Sequence, residues 1–71
     1  MEYVVILEEG PKSWGAYVPD LPGCVAAGET REEVLKLIRE AIEFHLGGMK
    51  EDGKPIPKPH SHTELVQVNA A

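Results

Sequence analysis

The side chains of this sequence that could carry out chemistry are scattered carboxylates, one cysteine and three histidines. Hydrolysis assisted by Mg²⁺ requires several carboxylates that converge on the ion. The acidic residues near the predicted strands are Glu2, Glu8, Glu9, Asp20 and Glu64. Glu8 and Glu9 stand at a strand end beside a turn, where acidic side chains usually face solvent. We therefore predict no metal ligands and no catalytic residues among them.

Cys24 and the histidines could support nucleophilic or metal chemistry only with further partners. A reactive cysteine needs a nearby base and a lowered pKa, and His45 on the predicted helix is the candidate base. We favour instead a buried structural cysteine and a histidine at the edge of the core. His60 and His62 could supply two ligands to zinc, but a structural zinc site takes four. We favour a solvated loop there, although a subunit interface could complete such a site.

The charge balance excludes several classes of partner. Seven Lys and Arg residues against twelve Asp and Glu residues give the 71-residue chain a formal net charge of −5. A surface of this sign repels phosphate, which argues against binding to nucleic acid or to anionic membranes. No apolar run approaches the ~20 residues that span a bilayer, and the first residues lack the basic start of a signal peptide. We expect a single cytoplasmic domain over residues 1–71.

Hydrophobic patterning predicts three short strands, over residues 3–7, 13–18 and 24–27. Prolines at every second position over residues 54–59 predict an extended segment, and residues 65–68 are predicted to form a last strand. The predicted fold is α+β, with the order β-β-β-α-β: an antiparallel meander with one helix packed on one face.

The helix is the best-defined predicted element. Thr30 and Glu33 have the spacing of a capping box, which marks its start. The sequence leaves two positions for its end. The helix could end at Gly47-Gly48, where two glycines weaken it, or run on to Gly53, a candidate C-terminal cap. At helical spacing, one face carries Val34, Ile38, Ala41, Ile42, His45 and Met49.

Two apolar surfaces are left without a partner in this arrangement. A single helix covers one face of the sheet, yet the first strand is apolar on both faces. Leu37 and Phe44, seven residues apart, form a second apolar stripe on the helix. A domain this small is marginally stable, and one cysteine cannot form an intramolecular disulfide. We therefore expect a homo-oligomer (a dimer or tetramer), a partner protein, or both.

A recognisable motif occupies the loop after the second predicted strand. It consists of Pro19, Asp20, Leu21, Pro22, Gly23 and Cys24, followed by Gly28-Glu29-Thr30, the helix, and Gly53-Lys54-Pro55-Ile56-Pro57. In this order and spacing, from about residue 3 to residue 68, the chain resembles the HicB-like antitoxin family. The resemblance implies a partial ribonuclease H-like fold and an antitoxin that blocks a HicA-type toxin, a small basic ribonuclease that cleaves messenger RNA.

The resemblance stops short of the DNA-binding module that two-domain members carry after this unit. We therefore expect no direct DNA binding, no cofactor and no enzymatic activity, but a binding protein whose negative charge suits a basic toxin. The candidate residues for contact with toxin or with another copy are Trp14, Tyr17, Leu37, Glu40 and Phe44. The alternatives are an orphan homo-oligomeric domain with another protein or ligand partner, and a vestigial metal-dependent nuclease.

Overall fold

A computed structural model describes residues 1–70 and shows three strands followed by one helix. The strands are β1 (Ile6–Glu9), β2 (Trp14–Tyr17) and β3 (Val25–Gly28), and the helix is α1 (Arg31–Glu51). The sheet has the order β1-β2-β3, and both strand pairs are antiparallel. The predicted α+β meander with one helix on one face is confirmed.

The strand register separates the residues of the sheet into two faces. Leu7, Ala16 and Ala26 stand opposite one another across the three strands, and all three pack in or against the core under α1. The neighbouring row is Ile6, Tyr17 and Val25. Because successive side chains of a strand point to opposite faces, this second row lies on the face that α1 does not cover.

The core lies between the sheet and α1, and the loop after β2 closes one end of it. Leu21, Val34 and Ile38 are its largest fully buried side chains. Val34 and Ile38 belong to the helical face predicted from the spacing of apolar residues. Leu21 comes from the proline-containing loop, so this loop contributes a hydrophobic side chain to the core as well as a connection between strands.

The start of α1 follows the capping pattern of the sequence. The Oγ1 atom of Thr30 accepts a hydrogen bond from the backbone N–H of Glu33 at 3.1 Å. The carboxylate of Glu33 reaches back one residue further than a standard capping box and accepts from the N–H of Glu29 at 3.1 Å. Both bonds satisfy backbone donors that the first turn of a helix leaves free.

The end of α1 lies beyond the glycine pair, at the later of the two predicted positions. The helix continues through Gly47 and Gly48 to residue 51, and Gly53 adopts a positive φ of 69°. The N–H of Gly53 donates to the carbonyl of Lys50, and the N–H of Lys54 donates to that of Met49. This is the Schellman arrangement, in which a residue with positive φ, most often glycine, lets the chain turn back on the last helical carbonyls.

The fourth strand predicted over residues 65–68 is wrong. In the described chain these residues form no strand, and Leu65, Val66 and Val68 are exposed. A strand forms only where its N–H and C=O groups meet a neighbour, and this segment lies beside none. The first three strands exist close to where they were predicted. β1 starts three residues later and ends two later, β2 is one residue shorter at each end, and β3 is shifted by one residue. Within residues 1–70 no helix combines the length and the apolar composition needed to cross a membrane.

Candidate functional site

The loop between β2 and β3 consists of two consecutive tight turns. The N–H of Leu21 donates to the carbonyl of Val18, and the N–H of Cys24 donates to that of Leu21, at 3.1 and 3.0 Å. Each turn has proline at its second position, where the fixed φ of the ring fits. Gly23 takes the third position of the second turn with a φ of 85°, as a type II turn requires. A third bond, from the N–H of Val18 to the carbonyl of Cys24, closes the loop.

The carboxylate of Asp20 is the only buried charged group in the described chain, with 4% of its surface exposed. It binds a segment that lies forty residues further along. The N–H groups of His60 and Ser61 donate to its Oδ2 atom at 2.8 and 3.0 Å, and the hydroxyl of Ser61 donates to Oδ1. The Nε2 atom of His60 lies 3.2 Å from Oδ1. We call this set of contacts the Asp20 lock.

Hydrogen bonds hold the Asp20 lock in its charged form. The hydroxyl of Ser61, then its N–H, and then the N–H and ring of His60 lower the pKa of Asp20 to about 2, against an opposing effect of burial. A second contact fixes the same segment just before the lock: the hydroxyl of Tyr3 donates to the carbonyl of Pro57. The segment after the helix is therefore tied at two points, once at the residues before β1 and once at the β2–β3 loop.

The lock contains an aspartate, a histidine and a serine, but not in the arrangement of a hydrolase triad. In a triad the serine donates to the histidine, which takes up its proton, and the aspartate orients the histidine. Here the hydroxyl of Ser61 donates directly to Asp20. The Nδ1 atom of His60 is occupied by the carbonyl of Lys58 at 3.1 Å. The contacts suit the anchoring of a chain segment, not the activation of a nucleophile.

The cysteine candidate and the metal candidates are not brought together. Cys24 is buried, and burial raises the pKa of its thiol, which opposes the formation of a thiolate. No hydrogen bond joins it to His45 among the described residues. His62 is exposed, while His60 is bound in the lock. Across residues 1–70, no three His, Cys, Asp or Glu side chains are placed to hold one metal ion.

The first candidate binding surface is the uncovered face of the sheet, which we call the open face. It carries the row Ile6, Tyr17 and Val25, of which Tyr17 is 40% exposed and Val25 is 64% exposed. Trp14, also predicted as an interface residue, lies on the opposite face of β2, half-buried against the core. The prediction overlooked Val25, which joins Tyr17 through the register of β2 against β3.

The second candidate surface is the solvent-facing stripe of α1, which we call the helix stripe. Leu37, Glu40 and Phe44 lie on it together, as their helical spacing predicts. Leu37 is 37% exposed and Phe44 is 85% exposed. Gly48 continues the stripe one turn beyond Phe44, and a Cβ atom there would meet nothing within 4 Å. Packing within the chain therefore does not require this glycine, although it weakens the helix by about 1 kcal/mol relative to alanine.

The sequence is similar to several known proteins over most of its length. An antitoxin named HicB 2 from Photorhabdus laumondii is 33% identical over 72 residues, covering 100% of this chain and 52% of the relative. A UPF0150 protein from Thermoplasma acidophilum is 34% identical over 71 residues, covering 99% and 100%. An uncharacterized 14.9 kDa protein from Haemophilus phage HP1 is 41% identical over 58 residues, covering 82% and 44%.

The chain spans about half the length of two of these relatives, the phage protein and the Photorhabdus antitoxin. No solved structure matches the sequence. The family model of the HicB-like antitoxin of bacterial toxin-antitoxin systems matches residues 3–70. That range contains both turns of the β2–β3 loop, both partners of the Asp20 lock and all of α1. The chain belongs to the HicB-like antitoxin family.

Proposed function

We propose that this chain is the toxin-binding unit of an antitoxin, which acts in the cytoplasm, binds a HicA-type mRNA-cleaving toxin and occludes its active site or RNA-binding surface. Membership of the HicB-like family supports the antitoxin role. The observation that carries the binding role is Phe44, an aromatic side chain 85% exposed on the helix stripe. Large exposed aromatic residues are the usual anchors of protein interfaces.

The charge around the helix stripe supports a basic partner. Glu40 lies between Leu37 and Phe44, and the chain has a formal net charge of −5. A small basic ribonuclease presents the complementary sign, which speeds encounter and disfavours wrong partners. The bound antitoxin would also place negative charge where the toxin binds the phosphates of RNA. Binding and exclusion of substrate would then follow from one contact, without any catalytic group on this chain.

The proposal also includes self-association. The open face carries Tyr17 and Val25, and the helix stripe carries Leu37 and Phe44, all exposed in the isolated chain. Exposed apolar surfaces favour association, with a second copy as well as with a toxin. We assign the toxin to the helix stripe because its apolar residues are mixed with acidic ones.

The test is inhibition of a HicA-type ribonuclease, preferably one encoded beside this gene, by titration with this protein. We expect inhibition at a fixed stoichiometry and a stable complex. Replacing Leu37→Ala and Phe44→Ala together should weaken the complex at least thirtyfold, about 2 kcal/mol, as expected for two interface anchors. Alanine keeps the helix intact, because it has the highest helix propensity.

The matched control is Lys36→Ala with Glu43→Ala. These two exposed positions have the same seven-residue spacing on the same helix, and their removal leaves the net charge unchanged. Inhibition should persist in this control. If folded protein fails to bind any such ribonuclease, the chain is an orphan domain with another partner. If the protein binds the toxin but the Leu37→Ala, Phe44→Ala variant loses no more affinity than the control variant, the toxin contact lies elsewhere than the helix stripe.

A further inference from the structure

The segment after the Asp20 lock projects away from the body of the molecule. Residues 62–70, which we call the arm, are exposed throughout, and Leu65 is fully exposed. The radius of gyration is 14.3 Å and the longest dimension is 51 Å. A compact domain of this length has a radius of about 11 Å. The arm and the end of the long helix extend beyond the compact core.

The composition of the arm is that of a strand. Val66 and Val68 alternate with Gln67, and β-branched residues at every second position favour a pleated surface. Val66 and Val68 are 74% and 75% exposed. An apolar strand face open to water, with unpaired backbone donors and acceptors, readily pairs with the edge of another sheet. Within the described chain it has no partner strand.

An acceptor for such a strand exists on the same molecule. β1 is at the edge of the sheet, with β2 on one side only. Beside the residues that lead into β1 lies an open groove of about 310 Å³ between them and α1. Its lining includes the apolar residues Tyr3, Val5, Leu35 and Ile42 and the charged residues Arg39 and Glu43. We call it the edge groove. A strand paired with the free edge of β1 could continue past the residues that precede β1 and lay its apolar face on this groove.

In the described chain the arm does not occupy this groove, since residues 62–70 are exposed throughout. The segment before the arm contacts Tyr3, a residue of the groove lining, at Pro57, and is then bound to the β2–β3 loop by Asp20. The arm therefore starts beside the β2–β3 loop. Extended at about 3.3 Å per residue, its nine residues reach roughly 30 Å, long enough to reach a neighbouring copy.

We infer that two copies of this chain exchange their arms, each arm pairing with the β1 edge and placing Val66 and Val68 in the edge groove of the other copy. Each copy then contributes nine arm residues and the eight residues that line the groove. This approaches the 20–30 residues per side of a standard stable interface. The inference rests on the self-association included in the proposed function and names its surface. It does not depend on toxin binding.

The first test is the mass of the full chain in solution, measured by light scattering after size exclusion. We expect twice, or an even multiple of, the chain mass of 7.8 kDa. Replacing Val66→Asp and Val68→Asp should reduce the mass at least twofold, because two charges would have to be buried against the apolar residues of the groove and beside Glu43. The control, Thr63→Asp with Gln67→Asp, adds the same charges to the opposite face of the arm and should keep the wild-type mass.

The two possible failures are distinguishable. A monomeric wild-type chain at millimolar concentration would overturn both self-association and arm exchange. An oligomer that survives Val66→Asp with Val68→Asp would overturn arm exchange alone and transfer self-association to the open face or the helix stripe. Circular dichroism checks that each variant keeps the helix.

The second test places cysteines so that only exchange between copies can join them. One preparation carries Val66→Cys and the other Leu35→Cys, and Cys24 does not compete because it is buried. After mixing under oxidising conditions we expect a disulfide-linked dimer that neither preparation gives alone to the same extent. A chain carrying both substitutions that closes a disulfide within the monomer would show that the arm returns to its own groove, contrary to the inference.

Discussion

The β2–β3 loop and the arm both lie outside helix and strand, but they differ in whether their backbone groups are hydrogen-bonded and their apolar side chains buried. In the loop, three backbone hydrogen bonds close two turns, and Leu21 is fully buried. In the arm, Leu65 is fully exposed and the backbone pairs with nothing in the described chain. The loop carries prolines and a glycine and is rigid, whereas the arm has the composition of a strand and is unpaired. Partners for the backbone, not local propensity, decide which segment becomes fixed structure.

The Asp20 lock joins these two regions. Asp20 belongs to the loop, and its partners His60 and Ser61 immediately precede the arm. The loop therefore determines where the arm begins, although the apolar residues of the arm are exposed and do not pack against it. Changes in the loop should weaken the fold, changes at the lock should release the arm, and changes in the arm should leave the folded monomer intact.

The largest expected effect comes from the same substitution made in both regions. Leu21→Ala removes a fully buried side chain and should destabilise the chain by about 2–5 kcal/mol. Leu65→Ala removes a fully exposed one and should change stability by less than about 0.5 kcal/mol. Urea denaturation at low protein concentration, where monomer dominates, measures both. Equal losses in the two variants would show that the arm is packed in the monomer and would remove the contrast.

The next effect comes from opening the lock. Asp20→Ala leaves the N–H groups of His60 and Ser61 without their acceptor and should lower the melting temperature by at least about 5 °C. Hydrogen exchange at these two amides should accelerate at least tenfold. The control is Asp52→Ala, which removes an exposed carboxylate at the end of α1. Unchanged exchange at His60 and Ser61 in Asp20→Ala would mean that the segment is held by other contacts.

The smallest effect is the pH dependence of the same lock. The pKa of Asp20 is lowered to about 2 from an ordinary value of 3.8, so the folded state favours the charged form. Its contribution to stability is complete above pH 4 and is lost as the pH falls from about 4 to about 2. The loss is partial, because the neutral acid keeps a carbonyl oxygen that can accept one donor. Acid unfolding followed in the wild type and in Asp20→Ala should show a pH-dependent difference confined to this window.

A good part of the fold follows from local patterns in the sequence. The turns at Pro19 and Pro22, the cap at Thr30 and the buried face of Val34 and Ile38 each depend on residues a few positions apart, and the structure confirms them. The end of the helix was open because two glycines weaken a helix without stopping it. The Schellman bonds around Gly53 then decide the position.

The candidate binding surfaces were predictable only in part. Leu37, Glu40 and Phe44 share a stripe because helical spacing alone puts them there. Trp14 and Tyr17 are separated because they lie on opposite faces of β2. Val25 joins Tyr17 through strand register, which the sequence does not specify when two short strands can pair in several ways.

By itself, the sequence determined the family, the charge, the turns and the helix, since each depends on composition or on neighbours in the chain. Only the tertiary structure decided that Asp20 binds the backbone of His60 and Ser61, forty residues away. It also decided that residues 65–68 remain unpaired. A buried carboxylate and a strand both need hydrogen-bonding partners, and these partners cannot be predicted from neighbouring residues in the sequence. Where the folded chain supplies such a partner, the segment is held in place. Where it supplies none, as along the arm, a surface remains open for another molecule.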